Sequence, residues 1–533
     1  MSDDPDFTFA YLNKARVQIK SKSVDLLNEL KLAFSYQKKV FGNYQNFYSV
    51  DGAGIYSCIS PAFSIKKGMT LEITKYLRDN GYTYSIDDAV KEDIVPSCTW
   101  VNEKELIQPH AEFKYRDYQE RAIRQVQKFG RGVLSSPTSS GKSLILYGIC
   151  SNIKEFGERT LIVVPRTQLV VQFFKEWTAE YGFKGIAMYS TKNPVLDPNA
   201  KVVITNYQFL VNKSKDKYDK HKRKDLDIIN NGKFKAVIVD ECHTIGESGS
   251  WLCNFLSKLN CQYALGCTGT VPDEKSKRWN VIGTLGPVIF TEHIHTLQER
   301  NQIAKIKIKC IQFDHNLLAA SELPWKKSGT ILLDKKTGDV LDATAMYRAE
   351  YQYIESHDFC NNYILDYAEQ LEGNTVILVD HIAHAEYLYN NCKEENKFLI
   401  TGATKLDDRT ELSKIVDSKD GKKYVIVAVA SCFGTGVSIK NLSNLILCSH
   451  GKALTKVIQN LGRVLRKVKK DGEEEYGNLY DFSHNHMFAK KHFKSRCLLY
   501  KRFYHIDAEA DFEKLVVPVN MQKIIIDSEV DKL

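Results

Sequence analysis

The amino-acid sequence predicts an α/β protein with two tandem parallel-sheet domains, preceded by a small α+β N-terminal domain. Short, almost wholly apolar strands alternate with amphipathic helical stretches from Thr160 onward, and the same alternation restarts at Thr375. Such strands are typical of parallel sheets that helices cover on both faces. Residues 1–105 lack this rhythm. The 533 residues leave room for three or four domains of roughly 150 residues each.

Composition excludes several classes of protein. Hydrophobic residues make up 43% of the chain and charged residues 26%, which is typical of a folded protein and not of a disordered or fibrous one. The first residues, MSDDPDFTF, have neither the basic nor the apolar part of a secretory signal. No apolar run approaches the ~20 residues of a membrane span. We therefore expect a cytoplasmic protein without a membrane partner.

The cysteines and one histidine-rich triplet do not suggest a metal site. The thirteen cysteines are spaced irregularly, without a C-x-x-C pair, and several lie in apolar stretches. This pattern predicts reduced core thiols rather than disulfides or zinc ligands. His484-Asn485-His486 spells H-N-H, but nucleases of that name take their residues from separated positions on a metal-binding hairpin. We do not expect a nuclease.

The first domain, residues 1–105, is predicted to mix short strands and helices. In chain order these are a strand at VQIK, a helix from Ser23, a strand at GIYSCIS, a helix over Met69 to Asn80 and a strand at YTYSI. Lysines and aromatic residues are interleaved here, namely Lys38, Lys39, Lys66 and Lys67 with Tyr36, Phe41, Tyr44, Phe47, Tyr48 and Tyr56. They could form a surface that stacks bases and binds phosphates. Core aromatics with solvated lysines explain the pattern equally well.

Two α/β domains are predicted over residues 106–295 and 296–505, with a C-terminal extension over residues 506–533. Their strands are LIVVP, KVVITN and AVIVDEC in the first, then TVILVD, KFLIT, YVIVAVA and NLILCSH in the second. Residues 314–345 have weak periodicity and a turn signal at DKKTGD, which indicates an insertion opening the second domain. The basic run Lys213 to Lys224 is either a solvated loop or a nucleic-acid contact.

A phosphate-binding loop is indicated by SSPTSSGKS, which ends at Ser143 and opens a helical pattern. Gly141 would let backbone N–H groups approach phosphate at a helix N-terminus, and Lys142 would reach the β- and γ-phosphates. Ser143 would offer its hydroxyl to Mg²⁺. The loop departs from the usual pattern at Ser136, where the first glycine of G-x-x-x-x-G-K-[ST] normally stands.

An acidic pair follows about a hundred residues later in FKAVIVDECH. The apolar residues Ala236 to Val239 predict a buried strand that delivers Asp240 and Glu241 at its carboxyl end. A carboxylate there can hold Mg²⁺ while its neighbour polarises the attacking water. Together with the phosphate loop, this pair predicts a nucleoside triphosphatase.

Two arginines, Arg463 and Arg466, lie three residues apart in QNLGRVLR and so would share one face of a helix. From a second α/β domain they could reach across a cleft to the γ-phosphate as arginine fingers. The nucleotide is then expected between the two α/β domains.

The ordered set of motifs resembles the superfamily-2 helicases and translocases, motor proteins with two RecA-like domains that hydrolyse ATP while moving along nucleic acid. The likeness spans about Arg116 to Arg466. The matching segments are RDYQ ending at Gln119, SSPTSSGKS, VVPRTQLVVQ, ITNYQFL, DECH, TGT, ASCFGTGVSI and QNLGRVLR. Within the superfamily, PTSSGKS, GTGVSIKNL and LGRVLRK are most similar to the phage recombination helicases.

This resemblance implies ATP and Mg²⁺ as cofactors and gives roles to individual residues. The catalytic group would be Lys142, Asp240, Glu241, Arg463 and Arg466, with Ser143 and Asp240 on the metal. Nucleotide contacts would come from Gln119, Thr138, Ser139, Ser140, Gly141, Lys142, Ser143, His243, Gly436 and Gln459. Thr268 and Thr270 would couple hydrolysis to movement. Two segments depart from the family pattern. In ASCFGTGVSI, which resembles motif V, Ser438 stands where the family usually has an acid, and the segment that resembles motif III is TGT rather than SAT.

Nucleic-acid contacts are expected from loops that follow the strands. The candidate residues are Pro165, Arg166, Thr205, Asn206, Thr401 and Gly402. The chain carries a formal net charge of +9, and the segment from Gly451 to His505 holds 13 lysines and arginines against 5 acids. This excess favours a polyanionic partner.

Three functions follow from these motifs. The resemblance implies an ATP-dependent DNA helicase or translocase that unwinds or branch-migrates junctions, forks and D- or R-loops in phage-type recombination, repair and replication. It would act as a monomer in the host cytoplasm, on branched, duplex and single-stranded DNA, with RNA as a further partner in hybrids. An RNA helicase or other duplex-tracking translocase is the second reading, because motor motifs mainly contact the backbone. A nucleotide-gated clamp without processive movement is the third.

Overall fold

A computed structural model describes most of the chain. The described residues are 4–37, 48–49, 55–110, 113–137, 140–215, 234–247, 251–259, 261–315, 325–328, 331–334, 342–418, 420–433, 439, 441–448, 476–510 and 512–518. The chain divides into two compact units, Met1–Glu292 and His293–Leu533. No helix in these described ranges is long and apolar enough to cross a bilayer.

The first unit begins with a small α+β domain. Its strands are β1 Phe7–Asn13, β2 Arg16–Ser21, β3 Ser35–Gln37, β4 Tyr48–Ser49, β5 Ile55–Ser57, β6 Ser64–Lys66 and β7 Tyr84–Ile86. Its helices are Val24–Ala33, Thr70–Asp79 and Asp88–Ile94, with a 3₁₀ turn over Lys67–Met69. Four strands form a sheet in the order β6-β2-β1-β7, in which only the β1–β7 pair is parallel. The hydroxyl of Ser23 accepts from the N–H of Asp25 and so caps the first helix, where the sequence predicts a helix start.

The same unit continues into a seven-stranded parallel sheet. Its strands are β8 Arg131–Ser135, β9 Thr160–Val164, β10 Ile186–Tyr189, β11 Val202–Asn206, β12 Ala236–Asp240, β13 Tyr263–Thr268 and β14 Val288–Thr291. Its helices are Asp117–Phe129, Lys142–Asn152, Lys154–Glu158, Thr167–Lys175, Tyr207–Lys215, Thr244–Glu247, Trp251–Lys258 and Lys275–Leu285, with a π-helical turn over Glu176–Glu180. Every residue of β9, β11, β12 and β13 is buried, because helices cover both faces.

The second unit holds another seven-stranded parallel sheet and a hairpin. Its strands are β15 Lys305–Asp314, β16 Trp325–Ser328, β17 Ile331–Asp334, β18 Thr375–Val379, β19 Lys397–Ile400, β20 Val425–Val429, β21 Asn444–Leu447, β22 Tyr476–His484 and β23 Glu513–Val516. Its helices are Ile294–Glu299, Ala343–Glu355, Asp358–Gln370, Ile382–Asn391, Leu406–Asp417, Ala430–Phe433 and Met487–Tyr504. The strands β16 and β17 pair only with each other among the described residues.

The two parallel sheets have the same strand order. The first runs β10-β11-β9-β12-β13-β8-β14 and the second β19-β20-β18-β21-β22-β15-β23. Strands numbered along the chain within each sheet therefore lie in the order 3-4-2-5-6-1-7 in both. A small α+β domain is followed along the chain by two RecA-like parallel sheets, which confirms the predicted fold class.

The described part of the insertion contains a hairpin that precedes DKKTGD. In the β16–β17 pair, Ser328 stands opposite Ile331, so the turn falls before DKKTGD. Only the first residue of that segment, Asp334, is among the described residues. Two residues separate the strands, which is the connection length that hairpins favour. The turn expected at DKKTGD stays a prediction.

The N-terminal domain packs on the helix Lys275–Leu285. Ile282 is fully buried in the hydrophobic core of the N-terminal domain, and the ring of Trp279 lies 5.9 Å from that of Phe34. Gly68 comes so close that a Cβ added there would lie 2.1 Å from the carbonyl oxygen of Ile282. Only glycine fits at this contact.

Part of the lysine–aromatic set is used in the same packing. The Nζ of Lys66 donates to the Sγ of Cys253 at 2.9 Å, and Lys67 pairs with Asp93 at 2.8 Å. Burial lowers the pKa of Lys67 to about 8. The ring of Tyr36 packs against those of Tyr56 and Trp279. These members support the domain's packing, while the side chains of Lys38, Lys39, Phe41, Tyr44, Phe47 and Tyr48 lie outside the described part.

The cysteines are free thiols in this structure. All thirteen lie within the described residues and none forms a disulfide. Twelve of them are buried, and Cys432 is half-buried.

Candidate active site

The phosphate loop lies at the carboxyl end of β8. Gly141 has a φ of +74°, in the left-handed region that glycine tolerates, and it precedes the helix Lys142–Asn152. The hydroxyl of Ser136 donates to that of Ser140 at 2.6 Å, and Ser140 in turn donates to the carbonyl of Pro137 at 2.7 Å. Ser136 is fully buried. The side chain that stands in place of the usual glycine therefore joins the described residues on either side of Thr138 and Ser139.

Gln119 and Tyr118 brace this loop from the helix Asp117–Phe129. The side-chain amide of Gln119 donates to the carbonyl of Ser140 at 2.9 Å, and the hydroxyl of Tyr118 donates to the same oxygen at 2.6 Å. The side-chain oxygen of Gln119 accepts from the backbone N–H of Arg116. A Cβ at Gly141 would lie 2.6 Å from the Gln119 amide nitrogen, so a larger residue there would displace the end of the Gln119 side chain.

Lys142 and Glu241 meet at the carboxyl edge of the sheet. The Nζ of Lys142 lies 3.8 Å from the Oε1 of Glu241 and 3.4 Å from the carbonyl oxygen of Ser136. Asp240 ends β12, and parallel strands bring their carboxyl ends to one edge. Glu241 has a φ of +49°, a conformation that is uncommon outside glycine and that clusters at functional sites.

The two carboxyl groups have opposite electrostatic environments. Burial, and then the charge of Glu241, raise the pKa of Asp240 above its usual value. Burial alone would also raise the pKa of Glu241, but the Lys142 ammonium and the hydrogen bond from His243 outweigh it and lower that pKa. Glu241 is thus held ionised. A further cation beside Asp240 would favour its ionised form.

A chain of polar contacts leads from Glu241 to the TGT segment. The Nδ1 of His243 lies 3.3 Å from the Oε2 of Glu241 and 2.9 Å from the hydroxyl of Thr268. Thr268 also exchanges hydrogen bonds with the backbone of Thr270, at 3.0 and 3.2 Å. The sequence assigned these residues to separate motifs, and the structure joins them in one network.

The residues present fit a magnesium ion. Asp240 is buried, and its Oδ1 has no hydrogen-bond partner among the described residues. A buried carboxylate oxygen left in this way suits a hard cation that takes oxygen ligands. Asp240 and Ser143 would hold the ion, which would supply charge stabilisation for the phosphates.

Sequence reasoning missed two side chains at the site. The indole N–H of Trp177 donates to the hydroxyl of Ser143 at 3.1 Å, and Trp177 is fully buried on the π-helical turn Glu176–Glu180. No motif signals this contact. Tyr118 could have been found, because it stands beside Gln119 in RDYQ.

The expected nucleic-acid contacts divide by exposure. Arg166 and Gly402 are exposed and Pro165 is half-buried at their loops. Thr205, Asn206 and Thr401 are buried, at 0%, 3% and 8% exposure. Thr205 and Asn206 lie at the carboxyl end of β11, and their contact with nucleic acid stays a prediction.

Several expected site residues lie outside the described part of the chain. They are Thr138, Ser139, Gly436, Gln459, Arg463 and Arg466. The basic run Lys213 to Lys224 is described only as far as residue 215. The expected position of the nucleotide between two α/β domains, and the arginine fingers, therefore stay predictions.

Comparisons with known proteins find similar chains. The family model of the type III restriction enzyme res subunit matches residues 112–273. The chain is 25% identical over 416 residues to the ATP-dependent DNA helicase uvsW of Enterobacteria phage T4, covering 75% of this chain and 76% of that one. It is 24% identical over 427 residues to the DNA 3'-5' translocase XPB2 of Sulfurisphaera tokodaii, covering 74% and 87%.

A solved structure shows the same fold. A fragment of an HsdR subunit from a type I restriction enzyme of Vibrio vulnificus matches with a TM-score of 0.52 at 14% identity, over 77% of this chain and 69% of that one. The relatives and the matching family model support an ATP-driven DNA helicase activity. Among such helicases, the chain is similar to the uvsW helicase of phage T4.

Proposed function

We propose that this helicase remodels branched DNA, such as junctions, forks and D- or R-loops, during recombination, repair and replication. The likeness to uvsW, which extends over three quarters of both chains, supports this proposal. The observation that carries the motor function is the approach of Lys142 to Glu241, 3.8 Å apart at the carboxyl edge of the first sheet. We further propose a monomeric motor that works in the cytoplasm with ATP and Mg²⁺.

The proposed chemistry assigns one task to each group. Lys142 neutralises the β- and γ-phosphates, and Glu241, held ionised, orients and polarises the attacking water. Asp240 and Ser143 hold the metal. Arg463 and Arg466 complete the charge stabilisation from the second domain.

The network from Glu241 through His243 and Thr268 to Thr270 gives coupling a physical route. A change at Glu241 on hydrolysis alters the partner that His243 faces, and Thr268 is the next group along. The backbone of Thr270, which is hydrogen-bonded to Thr268, then moves with the Thr268 side chain. This supports Thr268 and Thr270 in the coupling role despite their departure from the family pattern.

A substrate panel tests the proposal on the full chain. We expect ATP hydrolysis to be stimulated most by four-way junction and fork DNA, less by linear duplex and single strands, and least by RNA, with movement of a labelled junction as the second readout. Greater stimulation by RNA would favour the RNA helicase. Nucleotide-dependent binding without junction movement would favour the clamp.

Binding to DNA is proposed to run mainly through phosphates, because a motor must grip every site it passes. Exposed Arg166 and the loop at Gly402 are the described candidates for such contacts. The logarithm of the binding constant should fall with the logarithm of salt concentration by ~0.9 per phosphate contact on duplex. A flat salt dependence would contradict this mode of binding.

The N-terminal domain is proposed to select branched DNA. It carries none of the predicted ATP-site residues, and its sequence includes the adjacent lysines Lys38 and Lys39, which we propose as phosphate contacts. We expect Lys38→Ala with Lys39→Ala to weaken junction binding several-fold and to spare ATP hydrolysis stimulated by single strands. Lys75→Ala with Arg78→Ala, two exposed positions on one helix of this domain, is the matched control. Equal junction binding in both double variants would leave the domain a structural role only.

A further inference from the structure

Four histidines and a cysteine lie together at the carboxyl edge of the second sheet. His315 follows β15, His484 ends β22, and Cys360 is in the first turn of the helix Asp358–Gln370. His357 and His486 precede the helices Asp358–Gln370 and Met487–Tyr504. The helicase chemistry proposed above uses none of these residues.

Three of them present metal-ligating atoms to one another. One ligand atom each from His315, Cys360 and His484 lies within 4.8 Å of the other two, and all three residues are buried. The Nε2 of His315 is 3.0 Å from the Nδ1 of His484, so the two rings share a hydrogen bond. A tetrahedral zinc ion, with Zn–N of ~2.0–2.1 Å and Zn–S of ~2.3 Å, separates its ligand atoms by roughly 3.3–3.6 Å. Small side-chain shifts reach that spacing.

Asn485 fixes the backbone around these ligands. Its side-chain oxygen accepts from the N–H of His315 at 3.0 Å, and its amide donates to the carbonyl of His315 at 3.2 Å. The ring of Phe313 packs 5.0 Å from that of His484. In the H-N-H triplet, Asn485 therefore holds the backbone of His315 by two hydrogen bonds, and His484 contacts the His315 ring.

The site also contains buried nitrogen atoms that packing does not explain. The Nδ1 of His315 and the Nε2 of His486 have no hydrogen-bond partner among the described residues, and the two rings are 4.3 Å apart. Imidazole nitrogen atoms of this kind are common ligands of transition-metal ions.

We propose that His315, Cys360 and His484 bind one zinc-like transition-metal ion, with His486 as the candidate fourth ligand. Imidazole and thiolate donors suit Zn²⁺ and related ions, whereas Mg²⁺ and Ca²⁺ take oxygen ligands. The ligands come from two strand ends and a helix that are far apart in the sequence. The ion would thus join β15, β22 and the helix Asp358–Gln370 as a structural centre.

The place of the cluster in the sheet agrees with a ligand site. In the shared strand order, β15 corresponds to β8 and β22 to β13. The phosphate loop follows β8, and Thr268 ends β13. The second sheet therefore carries its histidines and cysteine where the first carries its phosphate loop, at the edge where open α/β sheets place ligands.

Metal binding is tested on the full chain without an affinity tag, kept reduced and freed of metal by a chelator. Titration with Co²⁺ should show one ion per chain, with visible d–d bands of tetrahedral cobalt and a thiolate charge-transfer band. Addition of Zn²⁺ should remove these bands. Zn²⁺ should also raise the melting temperature. Absence of a stoichiometric cobalt spectrum together with an unchanged melting temperature would overturn the proposal.

Variants identify the ligands. Cys360→Ser should lose the charge-transfer band, and His315→Gln should weaken Co²⁺ binding at least tenfold. Cys392→Ser is the control, because Cys392 is another buried thiol of the same hydrophobic core and is not among the grouped ligands. Each variant must first show a cooperative melt. A charge-transfer band that survives in Cys360→Ser would assign the thiolate to another cysteine and overturn this site.

Discussion

The two parallel sheets share one strand order but differ in what their carboxyl edges carry. In the first, the edge brings together a phosphate loop, Lys142, and the pair Asp240 and Glu241. In the second, the corresponding strands β15 and β22 end beside imidazoles and a thiol. The comparison teaches that strand order follows from packing apolar strands between helices, whereas chemistry depends on the few residues just after the strands.

At both carboxyl edges, a backbone hydrogen bond joins the chain beyond one strand to the neighbouring strand. In the first sheet, the N–H of Ser136 donates to the carbonyl of Thr268, which ties the chain after β8 to the end of β13. In the second, the N–H of Asn485 donates to the carbonyl of Phe313, which ties the chain after β22 to the end of β15. The equivalent pair of neighbouring strands is joined beyond its ends in both sheets, with donor and acceptor exchanged.

The largest expected effect comes from removing the charges of the first edge. Lys142→Ala should lower the rate of ATP hydrolysis on the order of 10³-fold, because it removes charge stabilisation of the phosphates. Glu241→Gln should block hydrolysis comparably and spare ATP binding, measured with a fluorescent nucleotide. Lys154→Ala, an exposed lysine in the same sheet domain, is the control. Near-normal hydrolysis in Glu241→Gln would remove it from the water-activating role.

The second unit's contribution to the same chemistry is tested at its arginines. Arg463→Ala or Arg466→Ala should lower kcat on the order of 10³-fold for whichever acts as the finger, because its charge stabilises the transition state. Affinity for ATP should change much less. Steady-state kinetics and equilibrium nucleotide binding separate these outcomes. Full kcat in both variants would show that the first edge works alone.

A stability prediction contrasts the interiors of the two sheets. The carboxylate of Asp481 on β22 accepts two hydrogen bonds from Arg496 and one from Tyr500, all at 2.7 Å, in a fully buried group. Asp481→Ala leaves the guanidinium buried without its counter-ion and should cost about 3–5 kcal/mol in the free energy of unfolding. Denaturant unfolding measures the change.

The control for this prediction is an exposed ion pair of the same unit. Asp366 and Lys393 lie 3.1 Å apart with more than half of each side chain exposed. Asp366→Ala should cost about 0.2–1 kcal/mol. Equal losses in the two variants would mean that the buried pair contributes no more than a surface pair. The first sheet has no such dependence at Arg131, whose buried guanidinium donates to backbone carbonyls.

Sequence reasoning predicts the fold, and it predicts that Lys142 and Glu241 lie at one edge of the first sheet, for a physical reason. Wholly buried parallel strands such as β9, β12 and β18 must be continuous apolar runs, so they are visible in the sequence. Parallel strands also share a carboxyl edge, which places Asp240 beside a loop that is far away along the chain. The approach of Lys142 to Glu241 follows from these two rules.

What the sequence does not reveal depends on tertiary packing. The contact of Trp177 with Ser143 joins two helices whose facing sides no motif records. The full burial of Thr205 is a property of the folded sheet domain that no local sequence pattern records. Cys360 and His484 are core residues by every local criterion, and only strand order brings them to one edge. Such contacts require the three-dimensional arrangement.

A smaller loss of stability is expected at the contact between the N-terminal domain and the helix Lys275–Leu285 of the first sheet domain. Among the described residues, the second sheet has no comparable domain packed on it. Gly68→Ala would place a methyl group 2.1 Å from the Ile282 carbonyl oxygen and 2.8 Å from that of Gly283. Because both are backbone atoms, the domain must shift, at a cost of about 1–3 kcal/mol. Thermal unfolding measures it. Gly402→Ala, which has open space around it, should show no loss; an unchanged melt in Gly68→Ala would mean that the contact yields freely.

The smallest predicted effect concerns Trp177, whose indole N–H donates to Ser143 at 3.1 Å. Trp177→Phe keeps an aromatic ring against Tyr147 but frees the Ser143 hydroxyl, a change of about 0.5–1.5 kcal/mol. We expect the Mg²⁺ concentration for half-maximal hydrolysis to shift several-fold, and the thermal shift with Mg²⁺ and ADP to change in parallel, while the saturated rate stays within about twofold. Phe173→Leu alters packing on Trp177 without touching the hydrogen bond. If it shifts the Mg²⁺ dependence equally, Trp177 acts by packing alone.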